Sequence, residues 1–108
     1  MTDKILILTT CADAAEAGRI AHRLVEARLA ACVSSSSPVR SVYRWQGVIE
    51  DQNEMALTIK TRRDLFSRVS AEIKKVHSYS TPEILAVPVV DGSSDYLGWL
   101  DRELAPPE

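Results

Sequence analysis

Cysteine is scarce in this chain. Cys11 and Cys32 are its only two, too few for the disulfide framework of a small secreted domain and in keeping with a reducing compartment. Long apolar runs are missing as well. No segment approaches the roughly 20 apolar residues of a membrane span. Only four strongly apolar residues, Ile5-Leu6-Ile7-Leu8, follow the polar start Met1-Thr2-Asp3-Lys4, too short a run for a signal-peptide core. The expected location is therefore the cytoplasm, with no membrane partner. There is no excess of positive charge: 13 basic side chains stand against 15 acidic ones, a net charge of -2. Proteins that neutralise phosphates are usually basic, so the balance argues against nucleic acid as a partner. The motif inventory is short too. The chain has no glycine-rich phosphate loop, no C-x-x-C, no H-E-x-x-H and no G-x-S-x-G.

What remains is the pattern of an ordinary single domain, residues 1–108, with 45% hydrophobic and 26% charged residues. The run Ile5–Leu8 predicts a strand buried on both faces in mid-sheet. Asp13 with Glu16 three residues on resembles a capping box. Ala17, Ile20, Ala21, Leu24 and Val25 then recur at helical spacing, predicting a helix from about Ala14 to about Ala27. The serine run ending at Pro38 reads as irregular or edge strand. Val39, Ser41, Tyr43 and Trp45 fall on one face of the next strand. Gln46-Gly47 suits a two-residue turn, and Met55, Leu57 and Ile59 alternate on the return strand. Thr61 reads as the N-cap of a second helix, with Asp64 in its first turn and Leu65, Phe66, Val69, Ile73 and Val76 on its apolar face. Glu83–Val87 predicts a further strand, with Val89-Val90 adding a short piece. Tyr96, Leu97, Leu100 and Leu104 predict a C-terminal helix. The order is βαββαβ with an extra helix: an α+β, ferredoxin-like antiparallel sheet with helices on one face.

The hairpin around Gln46-Gly47 is too long for 108 residues to cover. Much of its edge must meet solvent or another chain, which predicts an oligomer with a site where chains meet. The RNA-recognition module shares this topology, but its aromatic sheet signature is absent: the strands read Leu6-Ile7-Leu8 and Leu57-Thr58-Ile59.

Five ordered motifs then carry a likeness. They are Arg28–Cys32 (RLAAC), Ser41–Glu50 (SVYRWQGVIE), Leu57–Thr61 (LTIKT), His77–Ile84 (HSYSTPEI) and Tyr96–Leu100 (YLGWL). Together they make the chain resemble the divalent-cation-tolerance (CutA) family over nearly its whole length. The resemblance implies a ferredoxin-like subunit in a tight homotrimer, hairpins paired between subunits and a shape similar to PII signalling proteins. It also implies a role in tolerance of copper or another divalent metal ion.

Candidate site residues form two groups. His77, just past the second helix, is a metal-ligand candidate as a neutral imidazole; the alternative is a histidine placed at a helix C-terminus. The resemblance supports ligation, because some family members bind copper near this histidine. Yet Val76 stands where such members have a second histidine, and Thr9 where they have a cysteine. The usual His-Pro-Tyr is His77-Ser78-Tyr79 here. Cys11, nearer the loop end of the sheet, offers a thiolate where exposed. Cys32 reads as a small buried residue, on the order of 15–20 Å from Cys11, too far for a disulfide. The second group is Tyr43, Trp45, Lys60, Tyr79 and Glu83. These would line a small-ligand cleft between subunits, or Tyr43 and Trp45 would pack a neighbour while Lys60 and Glu83 form an ion pair. His22 reads as solvated helix surface. The functions in view are a non-enzymatic metal-tolerance trimer, an enzyme with Glu83 or His77 as acid–base and Lys60 binding an anion, and a scaffolding trimer.

Overall fold

The apolar run at the start of the chain becomes the spine of the sheet. In the computed structural model, which describes residues 1–107, strand β1 spans Lys4–Cys11. It lies between β4 (Val48–Arg62) and β5 (Leu85–Pro88), antiparallel to both. Strand β2 (Cys32–Ser35) pairs with the far edge of β4, giving the order β2-β4-β1-β5. Strand β3 (Val39–Trp45) pairs only with the first half of β4. Helices α1 (Ala14–Glu26), α2 (Phe66–Val76) and α3 (Ser94–Glu103) complete the fold. Among the described residues no helix is long and apolar enough to cross a membrane.

One face of the sheet builds the core. Ile5, Ile7, Leu57 and Ile59 point to it and are almost fully buried with Ile20 and Leu24 of α1, Val69 and Ile73 of α2, and Leu100 of α3. Each such aliphatic side chain contributes about 1.5–3 kcal/mol on leaving water. The opposite face is different. Leu6 and Leu8 are only half-buried, and their β5 partners Val87 and Leu85 are exposed. The expectation of a strand buried on both faces therefore holds for one face only. Among the described residues nothing covers the other, where Leu85 and Val87 are exposed.

Local signals explain most boundaries. Asp13 accepts from the Glu16 backbone N–H at 2.9 Å and starts α1; Ser93 accepts from Tyr96 N–H at 3.3 Å and starts α3. Gln46 and Gly47 both have positive φ, 50° and 82°, the conformation a tight hairpin turn requires. Thr61 is a correction. It does not cap a helix but lies inside β4, fully buried, donating its hydroxyl to the Leu29 carbonyl at 2.7 Å. A 3-10 turn, Arg63–Leu65, leads into α2 instead. The pull of the strand pairing Ile5 with Thr61 overrides the local capping preference. Glu83–Val87 also shifts, to Leu85–Pro88, and Val89-Val90 adds no strand.

The arrangement matters for function in one respect. The second half of β4 is held by β1 and β2, whereas its first half carries only β3. The β3–β4 hairpin consequently projects as an arm, and the molecule measures 44 × 25 × 23 Å.

Candidate functional site

At the root of the arm, the end of β1 and the segment after α2 come together. His77 follows α2 directly, and its backbone N–H still donates to the Ile73 carbonyl at 2.9 Å. Its side chain is fully buried. Ring Nε2 lies 2.7 Å from the Thr10 carbonyl, and the Tyr79 backbone N–H donates to Nδ1 at 3.0 Å. A carbonyl only accepts and an N–H only donates, so the ring is the neutral Nε2–H tautomer with both nitrogens engaged. The Tyr79 ring tilts against it at a centroid distance of 4.7 Å.

Beneath His77 lies Glu16, 2% exposed. Its carboxylate accepts from Ala12 N–H at 3.0 Å, Ser78 N–H at 2.6 Å and the Ser78 hydroxyl at 3.0 Å, and one oxygen sits 3.8 Å from His77 Nδ1. Burial alone would raise its pKa. The donors of Ala12 and Ser78, with His77 nearby, outweigh burial and hold the carboxyl below the usual carboxylate range. Glu16 thus ties the start of α1 to the segment carrying Tyr79. Its sequence signal, the capping-box position, identified the helix start but not this long-range role.

Tyr79 reaches the other way, donating its hydroxyl to Glu54 Oε2 at 2.7 Å. Burial first, then this bond to a carboxylate, pushes the phenol up, so it stays protonated and keeps donating. Glu54 is 5% exposed. Around this pair opens a cleft of about 520 Å³, lined by Thr10 of β1, Tyr43 and Trp45 of β3, Glu54 of β4, and Tyr79 and Glu83 from the segment before β5. Four of the five expected cleft residues, Tyr43, Trp45, Tyr79 and Glu83, meet there. Glu54 was not foreseen, although the register contains it. Counting back from the Gln46-Gly47 turn pairs Val39 with Glu54 and puts Glu54 on the face of Tyr43 and Trp45.

Lys60 is the exception. It lies six residues farther along β4, roughly 20 Å away at the rise of a strand. Its ammonium donates to Ser34 Oγ at 3.1 Å and sits 3.5 Å from Cys32 Sγ. Among the described residues no ion pair joins it to Glu83. Cys32 is half-exposed beside it rather than buried. His22 is exposed, as expected.

The residues present do not fit a metal centre of the expected kind. Both His77 nitrogens are spent on protein partners. Cys11 is completely buried, and burial, reinforced by Glu16, pushes its thiol up to about 11, so it is not a thiolate at neutral pH. Its sulfur lies 3.7 Å from the Asp13 carbonyl. Among the described residues no group of three or more His, Cys, Asp and Glu side chains is placed to hold a metal ion. Cys11 and Cys32 are both free thiols.

A family model of the CutA1 divalent ion tolerance protein matches residues 5–103. The chain belongs to this family. A Pectobacterium atrosepticum divalent-cation tolerance protein CutA is 42% identical over 104 residues, 96% of this chain and 94% of the relative. The Archaeoglobus fulgidus CutA is 44% identical over 96 residues, 89% of this chain and 93% of that one. The crystal structure of the CutA of Xylella fastidiosa superimposes with a TM-score of 0.93 at 39% identity, covering 96% of this chain and all of the other. The Archaeoglobus fulgidus structure, described as a periplasmic divalent cation tolerance protein, gives 0.90 over 93% of this chain and 97% of that one, at 42% identity. The CutA relatives thus share both the sequence and the architecture of this chain, arm included.

Proposed function

We propose that this chain is a non-enzymatic, homotrimeric divalent-cation tolerance protein, built of ferredoxin-like subunits with a PII-like architecture and working in the cytoplasm. It acts through a small ligand held in the cleft at the root of the arm, and its effect on metal tolerance is indirect. The observation that carries this reading is the contrast within the site. His77 and Cys11 are closed off by hydrogen bonds and burial, whereas Tyr43, Trp45, Tyr79, Glu54 and Glu83 surround open space of a volume usual for small-ligand pockets. Trimerisation is supported by the exposed Val42, Val48 and Ile49 on the arm and by exposed Leu85 and Val87 on the open sheet face. Apolar surface of this extent on two sides of a small chain marks interaction sites. Family membership supplies the link to divalent cations. A non-enzymatic role is supported by His77, whose two nitrogens are committed to backbone partners and have no nucleophile to activate.

The test is an anaerobic titration of the purified protein with Cu(I), Cu(II) and Zn(II), counting metal per subunit beside a His77→Ala control whose oligomeric state is checked. Binding that is weak, or the same in both proteins, is the expected result. Stoichiometric binding that disappears in an intact His77→Ala oligomer would overturn the indirect reading and make His77 a ligand.

A further inference from the structure

The chemistry of the cleft walls selects the charge of what enters. Its charged groups are two carboxylates, Glu54 and Glu83, among the neutral hydroxyls of serine, threonine and tyrosine side chains; among the described residues no lysine or arginine lines it. Glu54 is buried, and one of its oxygens accepts from Tyr79. Among the described residues the other oxygen, Oε1, accepts no hydrogen bond from the protein and is not a buried orphan, so it remains available as an acceptor. Beside it stand three aromatic rings. Tyr43 and Trp45 are 38% and 42% exposed, so their surfaces are open to a ligand. Carboxylates beside aromatic rings are the arrangement that attracts ammonium groups: the rings present negative quadrupole surfaces and the carboxylates present full charge. An anion would meet two like charges here and no positive one to offset them.

Two of the chain's cations are spent elsewhere: Lys60 is held on β2 by Ser34, and Arg40 is engaged by Asp51 through two hydrogen bonds of 2.7 and 2.6 Å. A bare divalent ion is a poorer match, because it wants several converging oxygen ligands and among the described residues no group of three acidic or soft side chains is placed to hold one.

We propose that the cleft takes an organic cation, a small molecule bearing a primary or quaternary ammonium group, seated among Tyr43, Trp45 and Tyr79 and paired with Glu54 and Glu83. This rests on the reading of the cleft as a small-ligand site and adds the chemical class of the ligand. Tyr79 has two tasks in it. It forms part of the aromatic wall, and its hydroxyl orients Glu54 so that Oε1 remains for the ammonium group.

The experiment is a fluorescence titration of the full chain carrying Trp99→Phe, which leaves Trp45 as the only indole. The probes are choline and spermidine, dimethylbutanol (the neutral carbon counterpart of choline) and acetate. Choline or spermidine is expected to change Trp45 emission saturably, with dimethylbutanol and acetate at least about tenfold weaker. Glu54→Gln, which keeps an acceptor for Tyr79 but removes the charge, is expected to weaken binding about tenfold. Glu83→Gln, at an exposed position where folding is not at stake, is expected to weaken it in the same direction. Equal binding of dimethylbutanol, preferred binding of acetate, or affinity unchanged in both variants would overturn the cationic class while leaving the cleft a ligand site. No saturable response to any probe would overturn the ligand class and the cleft reading together.

Discussion

Strand β4 is one continuous element with two different environments. In its second half, Leu57 and Ile59 are 1% and 0% exposed, held between β1 and β2 over the helices. In its first half, Val48 and Ile49 are 57% and 64% exposed, with only β3 beside them. The residue types are alike and the burial is opposite. A two-stranded ribbon alone is marginal in water, and an exposed apolar edge invites pairing with another chain. The inner half is therefore stabilised by its own chain. The outer half makes sense as surface awaiting a second copy, which is why the proposed trimer and the cleft at the arm's root belong to one account.

The largest expected effect comes from breaking the outer half. Val48→Asp combined with Ile49→Asp should give monomer or insoluble protein by size-exclusion chromatography with light scattering. A soluble oligomer of unchanged mass after both changes would remove the arm from assembly. Breaking the inner half should act on stability rather than assembly. Ile59→Ala empties a fully buried site and is expected to cost about 2–5 kcal/mol in denaturant unfolding, whereas Val42→Ala on the exposed arm, measured under the same conditions in the Val48→Asp/Ile49→Asp background, should cost much less. Equal losses at the two positions would mean that the arm has a core of its own.

The junction between the halves supplies the next effect. Glu16→Ala leaves the Ala12 and Ser78 donors unpaired and should cost about 1–3 kcal/mol. Because the folded carboxyl titrates below its unfolded value of about 4.3, its contribution is fully present above that value. It is lost as pH falls through the folded pKa. Acid unfolding of the unaltered protein should therefore steepen below about pH 4.3, and Glu16→Gln should flatten that limb. An identical acid limb in Glu16→Gln would deny Glu16 this role. The smallest effect belongs to Arg40→Ala. The Arg40–Asp51 pair sits on the exposed outer side of the arm, where ion pairs contribute little, so the thermal midpoint should not move.

Much of this was legible before any coordinates. Gln46-Gly47 fixed the turn, period two fixed β4, and Asp13 and Glu16 fixed the start of α1, because each is a local rule acting on a few neighbours. The misreadings were long-range. Thr61 has a capping residue's chemistry, but pairing opposite Ile5 drew it into the sheet. The run Ile5–Leu8 suggested cover on both faces, and the chain provides it on only one, leaving Leu6 and Leu8 half-buried. Cys11 and His77 were judged by what their side chains can bind; the burial of the one and the Thr10 carbonyl beside the other are long-range facts that no local rule reports. Glu54 was missed although the register was there to be counted. Lys60 was placed in the cleft as a strand-end residue able to approach the loop of Tyr79, whereas it pairs with Leu6 and Cys32 well inside the sheet.

The most direct test of the central claim is the mass of the unaltered protein in solution by sedimentation velocity at low micromolar concentration. The account predicts one species of three chains. A stable 11.9 kDa monomer with its arm still folded would contradict it.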